Sequence, residues 1–258
     1  DRRGRRASAY EAFVAPIRHR SNLTIVTGSM VERVTIADGR ATGVVLRGPD
    51  STREVSAARE VIVSAGVYRS PQLLQLSGVG PGALLQDKGI AVVRDLPAVG
   101  RNLADHHKIG ISYDLHGHPG TNREFLGWRL YRNALQYFAT GTGPLARVGM
   151  PATMLWSSEG NPERPDFQLA AAPFAMRTVS EMVAEPGSPI STKPGITFSG
   201  YHLHPRSRGT VTIASPDVDA PPQVDLAWWS DAHDRDKAVL LLTKLREMAA
   251  APALAPYV

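Results

Sequence analysis

Apolar and polar positions alternate with a period of two along residues 31–36 and again along 41–46, the pattern of half-buried strands. Asp38-Gly39 between them predicts a tight hairpin turn, because both residue types accept the left-handed backbone that such a turn requires. After a second turn at Gly48-Pro49-Asp50, residues 54–56 predict a third strand, so the stretch reads as a small antiparallel meander. Residues 23–27 (LTIVT) are a further strand candidate. Val61-Ile62-Val63 is continuously apolar, as in a strand buried on both faces of a parallel sheet. Ser64-Ala65-Gly66 then removes side-chain bulk where that strand ends. Ser70 suits a helix N-cap and Pro71 the first helical position. That helix is expected to turn Leu73, Leu74 and Leu76 inward and to close at Gly78 in a left-handed conformation. Residues 81–88 predict one more helical turn, and residues 96–103 read as irregular. Near the start, residues 7–14 predict a short helix with Tyr10, Phe13 and Val14 on one side.

The pattern changes after Asp105. Strands are predicted at residues 109–115, 152–156, 167–171, 196–203, 210–214 and 223–226, with a loop at 116–120. An amphipathic helix over 125–140 carries Leu126, Leu130, Leu135 and Phe138. Residues 176–194 show weak periodicity and read as a long loop. Residues 231–250 predict a helix capped by Asp231, with Leu241, Leu242, Leu245 and Met248 as its buried stripe. Strands alternating with helices, followed by a run of strands with few crossovers, predict an α/β part joined to an α+β part. The boundary is expected between residues 100 and 108.

Composition narrows the function classes. The 258 residues suffice for one large domain or two small ones. Cysteine is absent, which excludes a disulfide framework, thiolate metal ligation and a cysteine nucleophile. It also fits a reducing compartment, so a cytoplasmic location is expected. The net charge is +5, carried mostly by arginine, with a dense cluster at Arg2, Arg3, Arg5 and Arg6 and a second at Arg18, His19 and Arg20. Acidic residues are interspersed elsewhere and no basic stripe interleaves with aromatics, so nucleic acid is not an expected partner. No apolar run approaches membrane-spanning length. The chain starts at Asp1 amid structured sequence and stops at Val258 just after a helix, so both ends are expected to be cuts in a longer polypeptide.

Two features invite chemistry. The small residues Ser64-Ala65-Gly66 would let an extended ligand lie against bare backbone, although on local grounds alone a tight packing turn is the favoured reading. His202 and His204 are two apart on a predicted strand and therefore share a face. They read as a polar strand face or pocket wall rather than as metal ligands, for want of a third ligand at suitable spacing. Asp105 reads as a turn residue and His106 as structural.

Taken in order, several blocks resemble the glucose–methanol–choline (GMC) family of flavin-dependent oxidoreductases. Residues 66–80 (GVYRSPQLLQLSGVG) are similar to a signature of that family, with Val67 where a smaller residue is usual. Asn22-Leu23 through Val31-Glu32-Arg33-Val34, the stretch Val99-Gly100-Arg101-Asn102-Leu103-Ala104-Asp105-His106, and the pair Arg206-Ser207-Arg208-Gly209-Thr210-Val211 with Pro222-Gln223-Val224-Asp225 resemble three more. The resemblance implies a fold, α/β plus α+β, in which part of a GMC-type FAD-binding domain with a β-meander joins an antiparallel-sheet substrate domain with flanking helices. It implies residues 1–105 for the first and 106–228 for the second, with 229–258 a helix packing back towards the first. It implies FAD as cofactor, with Val31 at the adenine end and Ala65 and Gly66 near the diphosphate. It implies hydride transfer from a primary or secondary alcohol to flavin.

The family's glycine-rich diphosphate grip is expected before residue 1, and its catalytic histidine after residue 258. No catalytic residue is therefore expected in this chain, no metal site is assigned, and the remaining N- and C-terminal parts of the same enzyme are the expected partners. Choline-oxidising members carry a carboxylate before an Arg-Pro-Asp turn. Here Met150-Pro151-Ala152-Thr153-Met154 leads to Arg164-Pro165-Asp166 without one, which favours a neutral, partly apolar alcohol. Met150, Pro151 and Phe174 are expected to line the substrate pocket. The competing readings are a non-catalytic binding module and a lyase that holds FAD on the same scaffold without redox turnover.

Overall fold

The computed structural model describes residues 7–147 and 149–258. In chain order its elements are β1 (Met30–Ala37), β2 (Arg40–Arg47), β3 (Thr52–Ser56), α1 (Gly66–Leu76), β4 (Val79–Gly80), α2 (Gly82–Asp87), β5 (Arg94–Asp95), β6 (Ile109–Asp114), α3 (Gly127–Thr140), β7 (Ala152–Trp156), β8 (Phe167–Ala172), α4 (Val179–Ala184), β9 (Gly195–His202), β10 (Thr210–Thr212), β11 (Gln223–Asp225) and α5 (Ala232–Ala249). They form two compact units. The meander unit holds Arg20–Asp105 and Arg206–Asp231; the sheet unit holds the described residues up to His19, His106–Pro205 and Ala232–Val258. The first arginine cluster, at residues 2–6, lies outside the described residues.

In the meander unit β1, β2 and β3 form an antiparallel sheet. Asp38 and Gly39 both take positive φ, 51° and 75°, as a hairpin turn of two left-handed residues requires. β4 and β5 pair in parallel, and β10 and β11 form a short antiparallel ribbon. The leucines of α1 are only half-buried, and its buried side chains are Gln72 and Gln75. Gln75 is fully buried: Nε2 donates to the Val211 carbonyl at 3.0 Å and Oε1 accepts from the Ile213 N–H at 2.8 Å. Gln72 Nε2 donates to the Ala220 carbonyl at 2.9 Å, and its Oε1 accepts from Arg69 at 2.8 Å. Buried amides are tolerated only when bonded in this way. Gly100, at φ +82°, lies where a Cβ would collide with the Val211 carbonyl and Gln75, so the glycine is required by close approach as well as by its backbone angle.

Two strand expectations fail in this unit. Residues 23–27 and 61–63 form no strand among the described residues, and Ile62 is 77% exposed. A strand needs a neighbouring strand for its N–H and C=O groups, and no sheet pairing takes in these runs there. The N-cap of α1 also moves: the helix begins at Gly66, so Ser70 and Pro71 lie inside it. Ser70 Oγ still performs a capping task by accepting the Ala65 N–H at 3.0 Å.

The sheet unit is built on a four-stranded antiparallel sheet in the order β6-β9-β8-β7. Alternation sends Phe167, Leu169 and Phe198 to one face, where Leu241, Leu245 and Ala249 of α5 cover them. Residues 229–258 were expected to pack back towards the cofactor domain; within the sheet unit, Leu241, Leu245 and Ala249 of α5 lie against this sheet. The opposite face carries Ser112, Thr197, Ser199 and Tyr201, with Ser112 Oγ and Thr197 Oγ1 2.8 Å apart. Asn122 is fully buried and makes four hydrogen bonds, to Ala175, Ser191 and Gly195, at 2.8 to 3.3 Å. Within the expected loop 176–194, α4 starts at a capping box in which Thr178 and Glu181 exchange hydrogen bonds. The Thr-x-x-Glu pattern announces it. α3 departs from expectation as well, since Leu135 and Phe138 are exposed and its buried residue is Asn133. No helix among the described residues is long and apolar enough to cross a membrane.

Candidate cofactor cleft and substrate-side face

In the meander unit, β1 and the start of α1 enclose a cleft of about 530 Å³ whose lining includes Val31, Val61, Val63, Ala65, Arg69 and Gln72. Val31 and Ala65, expected to meet one cofactor, thus share one cleft. Val31 stands where the β1–β2 register shifts, a device that re-aims a strand locally. Gly66 adjoins the lining as the first residue of α1, at φ +89°, and a Cβ there would find open space. Packing therefore does not demand a glycine; the left-handed backbone does. Ser64 and Ala65 are exposed, so this turn offers backbone with little side-chain cover beside Arg69. The cleft is apolar along 61–63. Sequence reading missed Arg69 and Gln72 as lining residues, because their place follows from the register of α1.

On the sheet unit, Met150 and Phe174 attach to the same face of β9. Met150 Sδ lies 3.9 Å from Ser199 Oγ and 3.7 Å from Lys108 Nζ. The Phe174 carbonyl accepts Thr197 Oγ1 at 2.9 Å, and its ring packs edge-on against Phe125 at 5.3 Å. Pro151 is exposed beside Met150. This is the polar face opposite α5. His106 stacks on Tyr201 at 4.4 Å and its Nε2 lies 3.1 Å from the Leu203 carbonyl.

Asp166 of the Arg-Pro-Asp turn faces the other way. Partial burial pulls its carboxyl upward, but hydrogen bonds from Lys237 and from the Ser158 hydroxyl and N–H, with the Lys237 charge, outweigh this and lower it to about 2. Lys237 Nζ sits 2.7 Å from Asp166. Nearby, β9 ends at His202, and His204 lies exposed beyond it, its ring edge-on to that of His202 at 6.3 Å. His202 also meets His233 and Asp234 in the first turn of α5. Burial, with the charges of His233 and Lys237, pushes its imidazole down to about 4. This cluster has no sequence signal, since its members are brought together only when α5 docks on the sheet.

Each unit combines α-helices with antiparallel strands. The N-terminal GMC oxidoreductase profile matches residues 1–108 and the C-terminal one residues 205–257. The chain belongs to the GMC oxidoreductase family, whose members use FAD. It is 35% identical over 256 residues to an oxygen-dependent choline dehydrogenase of Rhizobium johnstonii, covering 98% of this chain and 45% of that protein. It is 31% identical over 270 residues to the GMC family oxidoreductase mfmG of Annulohypoxylon moriforme, covering 98% and 44%. A crystal structure of pyridoxine 4-oxidase from Mesorbium loti superposes with a TM-score of 0.80 at 24% identity, covering all of this chain and 45% of that one. The chain thus spans a little under half the length of the curated relatives it matches.

Proposed function

We propose that this chain supplies the adenine-side wall of an FAD pocket and the substrate-side sheet of a GMC enzyme that oxidises a primary or secondary alcohol. Residues 1–105 serve the cofactor and 106–228 the substrate. When bound, FAD would accept the hydride of the CH–OH carbon. Val31 would meet its adenine end through backbone, and Ala65 and Gly66 would leave room for its diphosphate. The single observation that carries this is the shared cleft of Val31 and Ala65. The open backbone at Gly66 fits the role, and a cleft of about 530 Å³ holds one end of such a cofactor. The exposed runs 23–27 and 61–63 fit strands completed by the remaining parts of the same enzyme. A cytoplasmic location belongs to the same reading.

Met150, Pro151 and Phe174 would line the substrate side. The name choline dehydrogenase raises a cationic substrate, but residues 150–154 hold no carboxylate and Lys108 Nζ is 3.7 Å from Met150. A cation there repels a quaternary ammonium, so a neutral, partly apolar alcohol is the substrate class. The test is anaerobic addition of alcohols to the FAD-loaded full-length enzyme. A neutral primary alcohol should bleach the visible flavin band and choline should not. A flavin band indifferent to every alcohol sinks the oxidation reading and leaves the lyase. Purified protein that holds no flavin leaves the binding module. In the same enzyme, Ala65→Phe should abolish FAD retention by filling the cleft.

A further inference from the structure

The cluster beneath the sheet carries chemistry that the flavin reading does not use. One ligand-type atom from each of His202, His233 and Asp234 lies within 4.8 Å of the others. Two imidazoles and a carboxylate are a common donor set for a borderline-soft divalent ion. The ring geometry agrees. With Zn–N bonds of about 2.0 Å, two imidazoles on one tetrahedral ion have centroids roughly 5 Å apart. The His202 and His233 centroids are 5.3 Å apart, with the rings inclined at 66°.

A further observation points to a ligand. His202 Nδ1 is shut off from solvent and meets no hydrogen-bond partner among the described residues. A buried ring nitrogen without a partner is costly, and coordination is one way to satisfy it. Asp234 supplies the carboxylate of the set and is only 4% exposed. Lys237, a cation nearby, is engaged by Asp166 at 2.7 Å and Glu159 at 3.7 Å, which offsets its charge.

We propose that His202, His233 and Asp234 form a site for one divalent transition-metal ion of the zinc class, joining the end of β9 to the first turn of α5. Small side-chain rotations bring the three donors to the spacing of about 3.3 Å that bonds of this length require. Three protein ligands leave the fourth position to water. The ion would act as a staple on the sheet unit, since anything that binds only the folded state stabilises it.

The test is titration of the metal-stripped full chain with ZnCl₂ by calorimetry, repeated with Co²⁺ under visible spectroscopy. One equivalent of zinc should bind and raise the melting temperature. Co²⁺ should give the intense visible bands of a tetrahedral site. His233→Ala is half-buried and its folding can be checked by circular dichroism; it should lower zinc affinity by more than the roughly 10- to 100-fold that loss of an outer partner costs. His204→Ala should bind as the parent does. Should His233→Ala misfold, Co²⁺ bands of octahedral weakness in the parent overturn the proposal. So do the absence of stoichiometric binding, or equal affinity in parent and His233→Ala.

Discussion

The two units of this chain bury different things. The sheet unit encloses a continuous apolar core in which Phe167, Leu169, Phe198, Leu241 and Leu245 are at most 2% exposed. The meander unit buries Leu85, Val211 and Ile213, and beside them Gln72 and Gln75 bonded to backbone, but leaves its most apolar run, residues 61–63, open along a cleft. The difference teaches what each unit is sensitive to. Both gain from transfer of hydrocarbon from water. In the meander unit satisfied buried amides tie the helix to distant backbone, and their value lies in the cost of breaking them.

The contrast predicts opposite sensitivities. Phe167→Ala opens a cavity in the sheet unit and should cost about 4 kcal/mol. Gln75→Leu, a swap that adds hydrophobicity, should nonetheless cost about 3 kcal/mol in the meander unit, because the Ile213 N–H and the Val211 carbonyl each lose a buried partner. Urea unfolding reads both. Trp156, whose ring is 5.2 Å from that of Phe167, reports on the sheet unit, and Trp228 and Trp229 report on the other. A Gln75→Leu variant as stable as the parent would erase the distinction.

A smaller effect is set by pH in the sheet unit. The Asp166 carboxyl is lowered from 3.8 to about 2 on folding. A depressed folded value contributes stability that is fully present above the unfolded value of 3.8. That contribution is lost as pH falls from there through about 2. The shift corresponds to about 2 kcal/mol for this largely buried pair. Asp166→Asn should therefore lower stability at neutral pH by an amount of that order, with the gap from the parent closing as pH falls towards 2. Urea midpoints measured between these limits check it. A gap independent of pH would mean that Lys237 does not hold the carboxylate.

How much of this was legible follows the same division. The strands of the sheet unit and the Asp38-Gly39 hairpin could be read directly, because each alternating face finds its cover inside the chain. The α1 stripe misled, because leucine spacing outweighs glutamine in any reading by hydrophobicity, while the buried hydrogen bonds that select Gln72 and Gln75 involve residues some 140 positions away. Residues 23–27 and 61–63 have strand composition, yet composition cannot create the neighbour that makes a strand. Of the site, Val31 and Ala65 came from ordered motifs. The His202 cluster depends on α5 docking, a tertiary event with no local trace.

The smallest expected effect gives the sharpest test of the comparison. Ile62 is 77% exposed on the open run of the meander unit, so Ile62→Ser removes apolar surface that folding of this chain does not bury. A change of that kind should stay within about 0.5 kcal/mol in urea unfolding of the isolated chain. Buried in a completed sheet, the same isoleucine would be worth roughly 2 kcal/mol or more. The substitution should accordingly be nearly silent in the chain alone and clearly destabilising in the full-length enzyme, where other parts would cover it. Equal cost in both would show that residues 61–63 are already covered in the chain alone, and the open, unpaired wall drawn here for the meander unit would have to be abandoned.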